Sequence, residues 1–175
     1  MGGLGSGRMW HYGAKSTVEE CKSININYLN RNNLLNGRIH SISWTRGGKE
    51  TGSIMLQAIG EDKLRLSYTV DKEKKLDYKV QLDKVKMNFG GHKLYFRCRE
   101  CGNRVEKLYI SSRSNYFLCR HCLDLTYRSC QESGDRSAKI RRKLRKLYKK
   151  LGSSWQGAAY STIPDKPKHM HYKTY

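Results

Sequence analysis

Four cysteines in two closely spaced pairs place the strongest constraint on what this chain can fold into. Cys98 and Cys101 are separated by two residues, seventeen residues follow, and Cys119 and Cys122 repeat the two-residue separation. Two intervening residues let one tight backbone turn direct both sulfurs of a pair at a common point. Four thiolates in a tetrahedral arrangement are typical ligands of structural zinc. The spacing therefore predicts one zinc ion, Zn2+, held by all four cysteines.

Two other interpretations of the four cysteines are a pair of disulfides and four unrelated thiols. Disulfides persist in oxidising compartments, and residues 1–8 lack the apolar core of a signal peptide, so a cytoplasmic location is expected. Cys130 is close enough in sequence to replace a ligand, whereas Cys21 is expected to be a small buried residue. His92 and His121 are further alternatives, although four thiolates already satisfy the metal.

The residues between the two cysteine pairs are long enough for a strand, a turn and a returning strand. The segment 91–130 is therefore expected to form a zinc ribbon, with hairpin strands over 105–110 and 116–118. Gly102 suits a turn with positive φ after the first pair, and the second pair lacks such a glycine.

Residues 16–90 are predicted to form a small helical start and an antiparallel meander. Thr17 and Glu20 have the spacing of a capping box, and short helices are expected over 17–22 and 24–30. Apolar residues then alternate with polar ones, most regularly over 64–70 and 76–82. The expected fold class is α+β: an antiparallel β-meander or small barrel, then a zinc ribbon and a C-terminal basic amphipathic helix.

The chain carries a large excess of positive charge, 35 Lys and Arg against 15 Asp and Glu, for a formal net charge of +20. The excess is concentrated in residues 89–175, which hold 20 basic and 6 acidic side chains, against 15 and 9 in residues 1–88. Such a balance indicates a polyanionic partner, usually nucleic acid. A basic protein without a specific ligand is the alternative.

The segment 131–152 is predicted to be a basic amphipathic helix. Its apolar residues recur at helical spacing on one stripe: Ile140, Leu144, Leu147, Tyr148 and Leu151. No acidic residue occurs between Arg136 and Leu151. Because like charges on a helix repel one another, nucleic acid is the expected partner of its polar face. An anionic membrane surface and a merely solvated face are the alternatives.

Basic residues of three segments are predicted to contact nucleic acid: Arg8, Arg99, Arg104, Arg120, Arg136, Arg141, Arg142, Arg145, Lys146 and Lys149. Tyrosines interleave with the arginines of the ribbon, which suits base stacking as well as ordinary packing. The glycine-rich segment 1–15 is expected to be a flexible arm that orders on a partner, or an idle leader. Residues 153–175 are expected to form an irregular tail.

Several short motifs occur in order along the chain: Gly2-Gly3-Leu4-Gly5-Ser6-Gly7-Arg8, Thr17-Val18-Glu19-Glu20-Cys21, Phe89-Gly90-Gly91, Cys119-Arg120-His121-Cys122-Leu123 with Tyr127, and Lys166-Pro167-Lys168-His169-Met170-His171. Together they resemble a family of small, largely uncharacterised bacterial zinc-binding proteins that are found partly on phages and other mobile elements. The resemblance implies a metal at the four cysteines, and it implies no particular activity.

These observations predict a zinc-ribbon nucleic-acid-binding protein that regulates a step of DNA or RNA metabolism on a bacterial or phage mobile element. The alternative is a protein-interaction module or inhibitor that docks on a larger host machine. A nuclease is less expected, because four thiolates leave no open coordination position and the acidic residues show no motif spacing. The chain is therefore expected to be no enzyme, to have no catalytic residues or small-molecule substrate, and to bind DNA, RNA or a nucleoprotein complex rather than a membrane.

Overall fold

The computed structural model describes residues 15–70, 73–153 and 164–173. The chain divides into two compact units between Thr126 and Tyr127. The first unit is mostly antiparallel β-structure and the second contains helices, so the predicted α+β class is confirmed. Among the described residues, no helix is long and apolar enough to cross a membrane.

In the described part of the first unit, nine strands and one helix follow one another in chain order. They are β1 (Lys22–Asn25), α1 (Ile26–Arg31), β2 (Ile39–Arg46), β3 (Lys49–Ile59), β4 (Lys63–Val70), β5 (Lys74–Lys86), β6 (His92–Arg97), β7 (Arg104–Val105), β8 (Lys107–Ser111) and β9 (Ser114–Leu118). The second unit contains α2 (Arg128–Gln131), a 3₁₀ turn (Glu132–Gly134) and α3 (Arg136–Lys150). The described tail residues, 164–173, form turns and no helix or strand.

Strands β2 to β7 form one six-stranded antiparallel sheet whose strand order follows the chain order. Strands β2 to β5 form the predicted meander, and β6 and β7, which were expected in the ribbon, extend the same sheet, which curls into a half-barrel. The period-two pattern of the sequence gives the sheet one buried and one exposed face. Leu64, Leu66 and Val80 are buried, whereas Arg65 and Lys79 are exposed. Burial of one face fixes the strand register, because a slip of one residue would expose the leucines.

A second sheet has three strands in the order β1-β8-β9. The chain passes from the first sheet to the second at Glu106, between β7 and β8. The backbone carbonyl of Glu106 accepts a hydrogen bond from Ile26 N at 3.0 Å. Its carboxylate accepts one from Asn27 at 2.9 Å and forms an ion pair with Lys93. The predicted hairpin strand over 105–110 is therefore divided between two sheets.

The predicted helix over 17–22 is replaced by a turn and by strand β1, whereas α1 overlaps the second predicted helix, 24–30, and ends one residue beyond it. Half of the capping box forms: Thr17 N donates to the Glu20 carboxylate at 3.1 Å, whereas the buried Thr17 hydroxyl has no hydrogen-bond partner within the described residues. Pairing with other parts of the chain decides the outcome: Thr17 forms a parallel bridge with Thr126, and β1 pairs with β8. Tertiary pairing here overrides a local helix signal.

The two sheets pack together around Phe117, which is 1% exposed. The Phe117 ring lies 6.1 Å from the Trp44 ring and 5.3 Å from the Tyr68 ring. Hydrogen bonds connect the same residues, because the Tyr68 hydroxyl donates to Asn115 O at 2.6 Å and the Tyr78 hydroxyl accepts from Phe117 N at 2.9 Å. Burial raises the pKa of Tyr68 well above its usual range, so this hydroxyl stays protonated.

Replacing Phe117 by alanine should lower the free energy of unfolding by about 3–5 kcal/mol, because it opens a cavity between the two sheets. The matched control is Phe89→Ala: Phe89 is fully exposed (105%), so its removal should change stability by less than about 0.5 kcal/mol. Denaturant unfolding of the two variants measures the difference. Equal stabilities would contradict the central position of Phe117.

Candidate metal centre

The two cysteine pairs belong to a short internal repeat. Residues 95–101 and 116–122 both read Tyr-Phe-X-Cys-Arg-X-Cys. Phe96 and Phe117 are both buried, at 0% and 1% exposure. Each pair of cysteines therefore follows a strand end that a buried phenylalanine anchors in the core, two residues before the first sulfur.

The four predicted ligands converge on one point. Their Sγ atoms all lie within 4.8 Å of one another. The Sγ atoms of Cys98 and Cys122 are 3.8 Å apart, and those of Cys101 and Cys119 are 3.7 Å apart. A metal–sulfur bond of about 2.3 Å in a tetrahedron places the sulfurs about 3.8 Å apart. The cluster can therefore hold one tetrahedral metal ion.

Backbone groups support the sulfurs. The amide of Cys119 donates to Cys98 Sγ at 3.3 Å, and the amide of Cys122 donates to Cys119 Sγ at 3.4 Å. A hydrogen bond from the backbone of Asn103 lowers the pKa of Cys101 to about 7. Burial raises the pKa of Cys119 and Cys122. A bound cation would stabilise all four thiolates and displace their protons.

The turn after each cysteine pair contains a residue with positive φ. Gly102 has φ +69° after the first pair, and its amide donates to Cys98 O at 2.8 Å. After the second pair the left-handed residue is Asp124, at φ +50°. Aspartate tolerates this conformation better than most residues, which explains why the second turn closes without glycine. Lys15 forms an ion pair with the Asp124 carboxylate at 2.5 Å, and it lowers the pKa of that group.

Arginines tie the first cysteine turn to its surroundings. Arg97 and Arg104 both form ion pairs with Asp83 of β5, at 2.9 and 2.6 Å. The two guanidinium groups, Arg104 foremost, lower the pKa of Asp83. Arg97 also donates to Gly102 O at 3.2 Å. The guanidinium of Arg99 lies 4.4 Å from the centre of the Tyr116 ring, so an arginine of the first repeat contacts a tyrosine of the second.

The predicted nucleic-acid contacts near the cysteines have protein partners. Arg99 lies over Tyr116, Arg104 pairs with Asp83, and an Nη atom of Arg120 is 3.1 Å from Nε2 of His121. Arg99 and Arg104 are exposed and Arg120 is partly buried. Neighbouring side chains therefore hold all three arginines in place, and the guanidinium groups of Arg99 and Arg104 remain at the surface.

The remaining predicted contacts belong to α3 in the second unit. The Asp135 carboxylate caps this helix by accepting from Ser137 N at 2.8 Å. Two ion pairs lie near its start, Arg141 with Asp135 at 3.4 Å and Arg142 with Glu132 at 3.8 Å. The other predicted contacts of the helix are all exposed: Arg136, Arg145, Lys146 and Lys149. Arg8 lies outside the described residues.

The alternative ligands stay out of the cluster. Among the described residues, the group that could hold a metal contains the four cysteines and neither Cys130 nor His92 nor His121. All six cysteines are free thiols in the described part of the chain, and sulfur separations of 3.7 and 3.8 Å are far longer than a disulfide of about 2.05 Å.

The Tyr-Phe-X-Cys-Arg-X-Cys repeat is a sequence signal that could have identified Phe96 and Phe117 as the anchors of the cluster. Tyr95 and Tyr116 occupy equivalent positions in the two copies. Asp83 has no comparable signal, because its role depends on the pairing of β5 with β6.

No protein-family model, curated protein or solved structure matches the chain. The resemblance to bacterial and phage zinc-binding proteins therefore stays a prediction.

Cys98→Ser should abolish metal binding and unfold the surrounding turns, because the folding of such small sites is coupled to their metal. Cys130→Ser is the matched control and should retain one metal ion per chain. Elemental analysis of the purified full-length variants measures the metal content of each. Full metal content in Cys98→Ser would show that the four-sulfur assignment is wrong.

Proposed function

We propose that this protein binds nucleic acid and that a structural zinc ion in the four-cysteine cluster holds part of its binding surface. Zinc is favoured because four thiolates at tetrahedral separations suit it and because four protein ligands close its coordination sphere. Iron is the other common ion for four thiolates, and metal analysis distinguishes the two. A closed site has a structural role, which supports a non-enzymatic function and a ribbon-like module around residues 92–123.

The charge of α3 is the observation that carries the proposal. Nine of its fifteen residues are Lys or Arg and none is acidic. Apart from the two ion pairs near its start, six of these cations form no ion pair within the described residues: Arg136, Lys139, Lys143, Lys146, Lys149 and Lys150. The mutual repulsion of this face is offset when phosphates neutralise it and release their counterions.

Helical geometry sorts these charges into rows. Arg141, Arg145 and Lys149 are spaced four residues apart, and Arg142 and Lys146 form a neighbouring row. Residues four apart lie on the same face of a helix, about 5–6 Å between Cβ atoms. Five cations on one face can follow a phosphate backbone. This contact reads charge rather than base sequence, so it supports binding to DNA or RNA without choosing between them.

A second candidate function is a docking module for a larger protein assembly. It is supported by the apolar stripe of the same helix, because no residue of α3 is buried and Ile140 and Leu147 are about half-exposed. Capture of partners from the native host before and after nuclease treatment separates the two functions. A cytoplasmic location and a role on a bacterial or phage mobile element belong to the proposal as well. A reducing compartment would keep the six cysteines from forming disulfides.

Reversing Arg141, Arg142, Arg145 and Lys146 to Glu should weaken binding to every nucleic-acid sequence alike. The slope of log affinity against log salt should become less steep by roughly one unit for each lost phosphate contact. Fluorescence anisotropy with DNA and RNA probes at several salt concentrations measures both quantities.

The matched control reverses four exposed lysines of the first unit, Lys49, Lys74, Lys75 and Lys79, to Glu. It changes the net charge by the same amount and leaves α3 intact. If the control loses as much affinity as the α3 variant, net charge explains the loss and α3 is not the site of contact with nucleic acid. If the wild type binds neither probe, the proposed function is wrong.

A further inference from the structure

Strands β5 and β6 continue beyond the other strands of their sheet as a two-stranded hairpin. The pairing of β4 with β5 ends at Lys63 and Gln81, and the pairing of β7 with β6 involves Phe96 and Arg97. Residues 83–95 therefore pair only with each other. We call this hairpin the finger. Four residue pairs at about 3.3 Å per residue give its paired part a length of roughly 13 Å.

The tip of the finger is a closed and ordered turn. Gly90 N donates to Met87 O at 3.1 Å, and Met87 N donates to Gly91 O at 3.1 Å. Gly90 and Gly91 adopt φ values of +89° and +75°, which glycine reaches without steric cost. The two hydrogen bonds close the backbone of the turn and place Phe89 at the end of the hairpin.

Exposure rises along the finger towards this tip. Phe96 at its base is buried, Val85 and Leu94 are partly buried, Met87 is 44% exposed and Phe89 is 105% exposed. Phe89 therefore packs against nothing in the described parts of the chain. A phenylalanine that is fully exposed contributes no stability to the first unit, yet it presents a flat apolar ring to solvent.

Basic side chains flank the turn that carries Phe89. Lys86 and His92 are directly opposite each other in the register of the finger, and Lys84 lies two residues from Lys86 on the same face. Lys84 approaches Glu61 at 3.5 Å, whereas Lys86 has no ion pair within the described residues. No acidic residue occurs between Lys84 and Arg99.

From this arrangement we propose that the finger inserts Phe89 between two stacked bases of a nucleic acid, while Lys84, Lys86 and His92 contact the adjacent phosphates. The inference rests on the proposed function and adds a second contact that differs from the phosphate contact of α3. Apolar wedges of this kind unstack a base step, and stacking of the ring on the bases offsets part of the cost.

The chemistry of the tip favours nucleic acid over a protein partner. A protein-binding anchor is usually surrounded by further apolar or neutral contacts that exclude water. Among the turn residues 87–91 the only other apolar side chain is Met87, and the side chains that flank the turn, Lys86 and His92, are both basic. A flat ring with flanking cations matches the alternation of apolar base faces and anionic phosphates along a nucleic-acid strand.

The test uses the full metal-loaded chain and a short duplex with 2-aminopurine at a central TA step, in DNA and RNA versions. Binding of the wild type should raise the fluorescence of the probe, because the base leaves the stack. Phe89→Ala should lower affinity on the order of tenfold and abolish the fluorescence rise at saturation. Phe89→Trp should restore affinity, because it retains a flat aromatic ring.

Two further variants provide controls. Tyr28→Ala removes another exposed aromatic side chain, 53% exposed on α1, and should behave as the wild type. Lys86→Gln should reduce the steepness of the salt dependence by about one unit and keep the fluorescence rise at saturation.

The outcomes separate this inference from the proposed function. If Phe89→Ala binds as tightly as the wild type, or weakens binding to a probe whose fluorescence never changes, insertion is wrong and the proposed function stands. If Phe89→Ala keeps nucleic-acid binding and instead loses a nuclease-resistant protein partner, the finger is a protein contact and the inference is also wrong. If the wild type binds no nucleic acid, both fall together.

Discussion

The convergence of four sulfurs is the constraint on which the first unit depends, because it joins two different sheets. Cys98 follows β6 of the six-stranded sheet, and Cys119 follows β9 of the three-stranded sheet. Their turns meet only if both strands end at the same place, and the buried Phe96 and Phe117 hold them there. A metal ion in this position would connect the sheets directly, in addition to the aromatic packing around Phe117.

Charge is handled differently in the two units. In the first unit, acidic residues and tyrosine rings hold the arginines near the cysteines, with Asp83 between Arg97 and Arg104 and Tyr116 beneath Arg99. In the second unit, α3 forms ion pairs with Asp135 and Glu132 near its start, and its own fifteen residues include no acid. The first arrangement makes guanidinium groups part of the fold, and the second leaves a face of cations that repel one another.

The sequence was sufficient for the features that depend on local spacing. The cysteine spacing predicted the cluster, and the alternation over 64–70 and 76–82 predicted strands that the structure contains. The sequence-based prediction failed where residues distant in the chain pair with each other. Lys22–Asn25 is a strand because β8 lies beside it. The passage between the sheets at Glu106 depends on contacts with Ile26 and Asn27. The roles of Asp83 and Asp124 likewise arise only when strands and turns are assembled.

Because the chain passes between the sheets at Glu106, the cysteine region depends on strands outside it for its folding. The region around the cysteines borrows a neighbouring strand on each side, since β6 pairs with β5 and β8 pairs with β1. A fragment that begins at residue 91 would lack both neighbours and would present two open strand edges with unpaired amide and carbonyl groups. Open edges of that kind recruit strands from other molecules. The cysteine region is therefore not a fragment that can be excised or grafted, because it shares one compact unit, which ends at Thr126, with β1 and β5.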